Sequence, residues 1–195
     1  SVPVTAEYIR LVEGKNAAQL RDEFEFSGLG LVTADPGSSG YVDYHSDYEL
    51  WDCENGMFVY LGCNTEEGVF AKEEIRKELT YAIDRNRLAE EFYNGFALPT
   101  VLPTSPKSPY YDTILASRYA YQDSRFAQAV VQNGEKDSMV TLLVNSDDTL
   151  RVRAARSIAE MLNACGLVVT VKEETSADYY QALRMKEFDL YMGQT

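Results

Sequence analysis

The side chains with the greatest capacity for chemistry fall in three places. The first surrounds His45, the only histidine of the chain. A hydrolytic triad would need this imidazole buried beside a nucleophile. Its neighbours Asp43, Asp47 and Glu49 instead share one face of an alternating segment, which reads as the solvated acidic side of a strand. Carboxylate oxygens suit a hard cation, yet residues at i, i+4 and i+6 of a flat strand do not wrap an ion, so no metal site is expected. The second place is Ser146-Asp147-Asp148, between a strand-like run and a helical one. Such a turn can hold an anion on its backbone N–H groups, but two carboxylates oppose one and read better as helix caps. The third is the polar end of the chain. Gly193 lets another backbone approach closely, and Gln194 and Thr195 can each donate and accept hydrogen bonds. Gly28-Leu29-Gly30 lacks the third glycine and following helix of a dinucleotide fingerprint. No nucleophile–base pair and no phosphate loop emerges. The chemistry on offer is recognition, with no catalytic residue and no cofactor expected.

The elements that must position the third group are legible. Ser138–Asn145 is an apolar, β-rich run, and Thr149–Cys165 is helical, with Val152, Ala155, Ile158, Ala159 and Leu162 on one face and Gly166 just past the end. Leu167–Val171 is a second apolar run. Ser176–Glu187 is a second helix, with Ser176 as its cap, and Phe188–Met192 is a third run. This alternation specifies parallel strands joined by right-handed helical crossovers. Their ends at Asn145, Glu173-Glu174 and Gly193-Gln194-Thr195 should reach one sheet edge, where such sheets take ligands. The fold class is α/β: a mixed sheet with a C-terminal parallel β-α-β-α-β unit and helices packed on it.

Upstream, strands are expected over Thr5–Val12, Gly28–Thr33 and Tyr41–Asp52, the last followed by a hairpin signal at Asn55-Gly56. Met57–Cys63 is apolar on both faces, as an interior strand would be. Asn16–Phe26 reads as a helix, Ala71–Gly95 as two helices meeting at Asp84-Arg85-Asn86, and Phe126–Val131 as a short helix closed by Asn133-Gly134. Four prolines punctuate an extended loop over 97–111, after which Tyr110-Tyr111 could anchor the loop or stack on a ligand.

Composition bounds the function classes. The chain has 195 residues, 45% hydrophobic and 25% charged, ordinary for a globular domain. A net charge of −13 argues against nucleic acid and against an anionic membrane surface. No run approaches the ~20 apolar residues of a membrane span. The chain opens Ser1-Val2-Pro3-Val4 without a signal peptide, as an excised domain would. Of the three cysteines, Cys165 reads as a small core residue, while Cys53 and Cys63 flank the possible hairpin and could pair in an oxidising compartment.

Phe70–Arg85, F-A-K-E-E-I-R-K-E-L-T-Y-A-I-D-R, resembles the F-x-x-x-x-V-R-x-A-L-x-Y-A-I-D-R segment of the extracytoplasmic peptide- and nickel-binding proteins of ABC importers. Tyr60-Leu61-Gly62-Cys63-Asn64 before it is similar to that family's Y-L-x-x-N, and Gly95–Pro99 after it to G-x-A-x-P. Arg153–Gly166 resembles the A-A-x-x-I-x-x-x-L-x-x-x-G helix, and Glu187-Phe188-Asp189-Leu190 the F-D-L strand. Two departures stand out: Ser27-Gly28-Leu29-Gly30 replaces the family's Gly-Glu-hydrophobic-Asp, and Gln194 follows Gly193 where Trp is usual.

The resemblance implies a periplasmic-binding-protein-like lobe occupying 1–195 as a single unit, with the second lobe, signal and lipid anchor outside the chain. It implies an extracytoplasmic binding component that closes on a peptide or similar small solute and docks on permease subunits. It implies ligand contact at Tyr191, Gly193, Gln194 and Thr195, and a place for Asn64 near the crossover between lobes. The alternatives are a scaffold domain that keeps the fold without transport, and an α/β enzyme domain, for which the sequence offers no reactive constellation.

Overall fold

A computed structural model of the chain describes residues 7–14, 16–33, 44, 47–49, 51 and 55–195. The chain divides into two compact units, Ser1–Trp51 and Asp52–Thr195.

The first unit holds one helix among its described residues, α1 (Ala17–Phe26). Asn16 caps it, its side chain accepting from the Gln19 amide at 2.9 Å, and Gln19 donates to Glu23 one turn on at 2.8 Å. The Phe24 ring meets the Tyr44 and Tyr48 rings edge to face at 5.6 and 6.4 Å. Strands were expected here, yet residues 7–12 and 28–33 form none, and neither do Tyr44, Asp47–Glu49 or Trp51. The rest of the Tyr41–Asp52 run, with His45 and Asp43, lies outside the described residues, as does Cys53. Alternation selects a face but provides no partner, and a strand exists only where a neighbour takes its backbone hydrogen bonds.

The second unit is built on a sheet in the order β1 (Val59–Cys63), β4 (Leu190–Gln194), β2 (Met139–Asn145), β3 (Val168–Glu174). β2 runs parallel to both β3 and β4, and β1 runs antiparallel to β4. The α/β class with a C-terminal parallel unit is therefore what the chain adopts. β1 is not interior, as its two apolar faces suggested. It is an edge strand of the described sheet: Leu61 and Cys63 pack against the main core, while its residues stay half-buried or exposed. β3 runs on to Glu174, past the expected end at Val171, because its pairing with β2 from Met139↔Val168 to Asn145↔Glu174 holds its charged end in the ladder.

One face of the sheet carries the main core. Val140, Leu142, Val144, Leu190 and Met192 pack on α6 (Thr149–Ala164) through Val152, Ala155, Ile158 and Leu162. The same core takes in Phe70, Ile75 and Leu79 of the stretch leading into and through α2 (Glu73–Leu79), and Phe126 and Val130 of α5 (Asp123–Gln132). The other face is covered by α7 (Ser176–Met185), whose Tyr179 and Ala182 pack on Leu143.

Helix ends follow local chemistry. Asp148 caps α6 by accepting from the Arg151 amide at 2.9 Å, an arrangement worth about 1 kcal/mol. Gly166 follows α6 with φ of 99°, a conformation that only glycine adopts freely. The cap of α7 is Thr175 rather than Ser176: its hydroxyl accepts from the Asp178 amide at 3.4 Å. Cys165 is buried as expected, and burial pushes its thiol up to about 11.

The motif residues 70–85 are structural. Arg76 donates to the Phe70 and Ala71 carbonyls at 2.6 and 2.8 Å, closing the tight turn before α2. Asp84 caps α3 (Arg85–Tyr93) by accepting from the Arg87 amide at 3.0 Å. Arg85 donates to the Thr80 carbonyl and hydroxyl at 2.9 and 3.0 Å, and burial lowers its pKa. The junction thus falls at 80–84, a few residues before the expected position. Residues 97–111 form neither helix nor strand. Within this loop the Thr100 and Tyr111 hydroxyls meet at 3.5 Å, while Tyr110 is 90% exposed. α4 (Thr113–Ser117) follows, capped by Asp112.

Candidate binding site

The parallel strands bring their carboxyl ends to one edge of the sheet, and a concavity of about 450 Å³ opens there. This lies within the range of about 300–1,000 Å³ usual for ligand sites. Tyr191, Gly193, Gln194 and Thr195 all line it, together with Asn145 at the end of β2. Glu173 and Glu174, expected at the same edge, are not in its lining. β3 is the outermost strand, and Glu173 pairs with Arg156 at 2.6 Å.

The β1–β4 ladder shapes the floor. Tyr60 pairs across the ladder with Gly193, and Gly62 with Tyr191. Each tyrosine ring lies over the opposite glycine. A Cβ added at Gly193 would stand 2.5 Å from Cζ of Tyr60, and one added at Gly62 would overlap the Tyr191 ring. The room left by Gly193, read from sequence as access for a ligand backbone, is taken up by an aromatic ring. The two rings meet edge to face at 5.9 Å. Phe58 stacks on Tyr60 at 6.1 Å and Phe188 meets Tyr191 at 5.1 Å, so four rings form a row across the two strands. Burial and the adjoining Tyr60 hydroxyl raise the Tyr191 pKa.

The walls come from two helices. Arg151, in the first turn of α6, donates to Asp148 at 2.9 Å and to the Gln194 side-chain carbonyl. The Gln194 amide in turn reaches the Met57 sulfur at 3.5 Å. Past β4 the ladder runs on through Phe58 and Thr195, whose backbones exchange hydrogen bonds at 2.8 and 3.0 Å. α7 supplies Tyr179, Tyr180 and Leu183.

The Tyr179 ring is buried and its hydroxyl donates to the Met192 carbonyl at 2.6 Å. Burial pushes that hydroxyl up to about 12, with Arg151 opposing the rise. Unfolded, the phenol titrates near ~10, so the unfolded chain loses this proton first. The stability contributed by Tyr179 is full below about pH 10 and is lost as pH rises toward about 12. Urea midpoints measured from pH 8 to 11.5 are expected to fall less steeply in Tyr179→Phe than in the parent; equal slopes would refute this assignment.

Asn64 lies at the far end of β1 from the concavity. It is 8% exposed, and its side chain donates to the Phe188 carbonyl at 3.2 Å and accepts from the Glu66 amide at 3.0 Å. Its own amide donates to the Asp189 carbonyl at 2.8 Å. It fastens the end of β1 to the start of β4. Cys63, next to it, is half-buried, and burial pushes its thiol up to about 11.

Sequence reasoning did not select Tyr60, Arg151, Tyr179, Tyr180 or Leu183. Tyr60 stands in the Y-L-x-x-N motif, but its relation to Gly193 needs the ladder register. Arg151 follows a capping Asp in the helix after a parallel strand, and that first turn always faces the carboxyl edge of the sheet. This second signal was available in the sequence. No described group of His, Cys, Asp and Glu side chains is arranged to hold a metal ion, and no described helix is long and apolar enough to cross a membrane.

Comparison with known proteins places these features. The chain is 25% identical over a 126-residue alignment to the oligopeptide-binding protein AppA of Bacillus subtilis strain 168, covering 57% of this chain and 23% of that relative. Among solved structures it is similar to AppA from Clostridium difficile (TM-score 0.70, 16% identity, 93% of this chain and 38% of the other). It is also similar to AgaA from A. tumefaciens R10 in complex with agropinic acid (0.65, 21%, 72% and 29%). A third is DppA from Helicobacter pylori in complex with the peptide STSA (0.62, 20%, 71% and 27%). These structures show the periplasmic-binding-protein fold, of which the chain spans well under half the length. Residues 19–195 match the family described as bacterial extracellular solute-binding proteins, family 5, middle region, and the chain belongs to that family.

Proposed function

We propose that residues 1–195 form one lobe of the substrate-binding component of an ABC importer, taking a peptide or a similar small solute in a cleft between lobes. The observation that carries this reading is the open concavity at the carboxyl edge of β2 and β4, lined by Tyr191, Gly193, Gln194 and Thr195. The family supports it, and so do relatives named for oligopeptide binding. Closure would be a hinged movement of the second lobe over this wall. No bond is made or broken, so the chain acts as a binding protein and not an enzyme. The closed form would dock on permease subunits outside the cytoplasm, the whole protein being held at the cell surface by a lipid-modified cysteine.

The test is isothermal titration of the full-length protein against a peptide mixture and against nickel chelates. Saturable heat with one solute class supports importer function. Absence of heat with every solute would replace it with the scaffold reading.

A further inference from the structure

The sheet parts where the recess opens. β2 and β4 pair at Leu142↔Leu190 and Leu143↔Tyr191 and no further, although β2 runs on to Asn145 and β4 to Gln194. Each strand stays regular on its other side. β2 keeps register with β3 as far as Asn145↔Glu174, and the Ser146 amide still donates to the Glu174 carbonyl at 2.8 Å. β4 keeps register with β1 as far as Val59↔Gln194, and Phe58 and Thr195 extend that ladder. The break is therefore confined to the seam between β2 and β4. Asn145 on one side of it and Gly193 and Gln194 on the other line the concavity.

Strand geometry says which bond is missing. Successive N–H groups of a strand in a ladder point to opposite edges. Ser146 donates toward β3, so the Asn145 N–H faces β4. Carried on by one residue, the register sets Val144 beside Met192, and the next rung would run from the Asn145 N–H to the Met192 carbonyl. That carbonyl already has a donor, the Tyr179 hydroxyl at 2.6 Å, and a buried carbonyl so paired is satisfied. Tyr179 stands in the first turn of α7, its ring buried and edge-on to Tyr180 at 5.3 Å, and it lines the concavity itself. We propose that Tyr179 is a positioning residue: its hydroxyl replaces the Asn145 amide at the Met192 carbonyl, ends the β2–β4 ladder early and so holds open the recess, a role in solute binding that rests on the function proposed above. The Asn145 side chain offers a rival cause, since it accepts from the Asp147 amide at 3.0 Å and begins a turn. The two causes differ in what happens at Asn145 when the hydroxyl is removed.

The test is amide hydrogen exchange on the full-length protein without solute, resolved to single residues by mass spectrometry. In the parent, the Asn145 amide is expected to exchange about tenfold or more faster than those of Leu143 and Val144 in the same strand. In Tyr179→Phe, which keeps the ring and its packing, Asn145 should slow by about tenfold as it takes the Met192 carbonyl. A role confined to stability would instead speed exchange along the whole strand. An Asn145 amide as protected as that of Val144 in the parent would overturn the proposal, and so would exchange at Asn145 that is unchanged or faster in Tyr179→Phe; the unchanged case assigns the parting to the turn. Isothermal titration of both proteins with a peptide mixture reads the effect on binding. Apparent affinity about tenfold weaker in Tyr179→Phe supports the positioning role, and equal affinity overturns it. Absence of heat in the parent would overturn peptide binding itself, a result on which the exchange rates do not depend.

Discussion

Phe70→Ala is expected to lower the unfolding free energy by about 3–5 kcal/mol, the usual cost of emptying a large aromatic site in a core. Phe70 is 0% exposed and packs in the cluster that joins the sheet to α2, α5 and α6. Its carbonyl is held by Arg76 at 2.6 Å, so the backbone around the vacated site cannot settle inward easily. Domains have a total stability of about 5–15 kcal/mol, and this single truncation removes a large part of it. Urea unfolding followed by far-ultraviolet circular dichroism would show a lower midpoint at unchanged slope. A loss below about 1 kcal/mol would mean that the cavity collapses and that Phe70 is no keystone.

Asp189→Ala should follow with a loss of about 2–3 kcal/mol, for a polar reason. The Asp189 carboxylate accepts from the Thr141 amide at 2.8 Å, while its own amide donates to the Thr141 carbonyl at 3.0 Å. Its carbonyl accepts from the Asn64 amide. One residue thus fixes the start of β4 against both β2 and the end of β1. Alanine keeps the backbone bonds but leaves the Thr141 N–H without its acceptor. Gly68, with φ of 73°, packs so closely that a Cβ there would overlap the carboxylate. Asp189→Asn retains an acceptor oxygen and is expected to recover most of the loss. If Asn were as damaging as Ala, the charge and not the hydrogen bond would be what matters.

The C-terminal β-α-β-α-β unit was legible because each signal in it is local and they agree. The apolar run of β2 is followed by the Asp148 cap, a clean stripe along α6, Gly166 as terminator and a second apolar run. The upstream strands were not legible. The run around Tyr44 and Tyr48 alternates well, but alternation says which side chains share a face and nothing about who accepts the backbone hydrogen bonds. Among the described residues there, the Tyr44 and Tyr48 rings meet Phe24 of a helix. β1 failed in a related way, since apolarity on both faces does not report rank within the sheet. Of the candidate site, the chain end was legible because parallel topology sends strand ends to one edge. Tyr60 depends on ladder register, which no short window of sequence contains, whereas the place of Arg151 could be read from the Asp148 cap that opens the helix after a parallel strand.

The reciprocal seating of Tyr60 on Gly193 and Tyr191 on Gly62 has a consequence for how this recess can change over generations. Its depth is governed by two methyl groups that the strands do not have. Adding either one would swing a phenol ring outward and shallow the recess from beneath, with every solvent-facing residue still in place. The four positions are therefore interlocked in two couples, and a gain of bulk at one member is tolerated only with a trim at its mate.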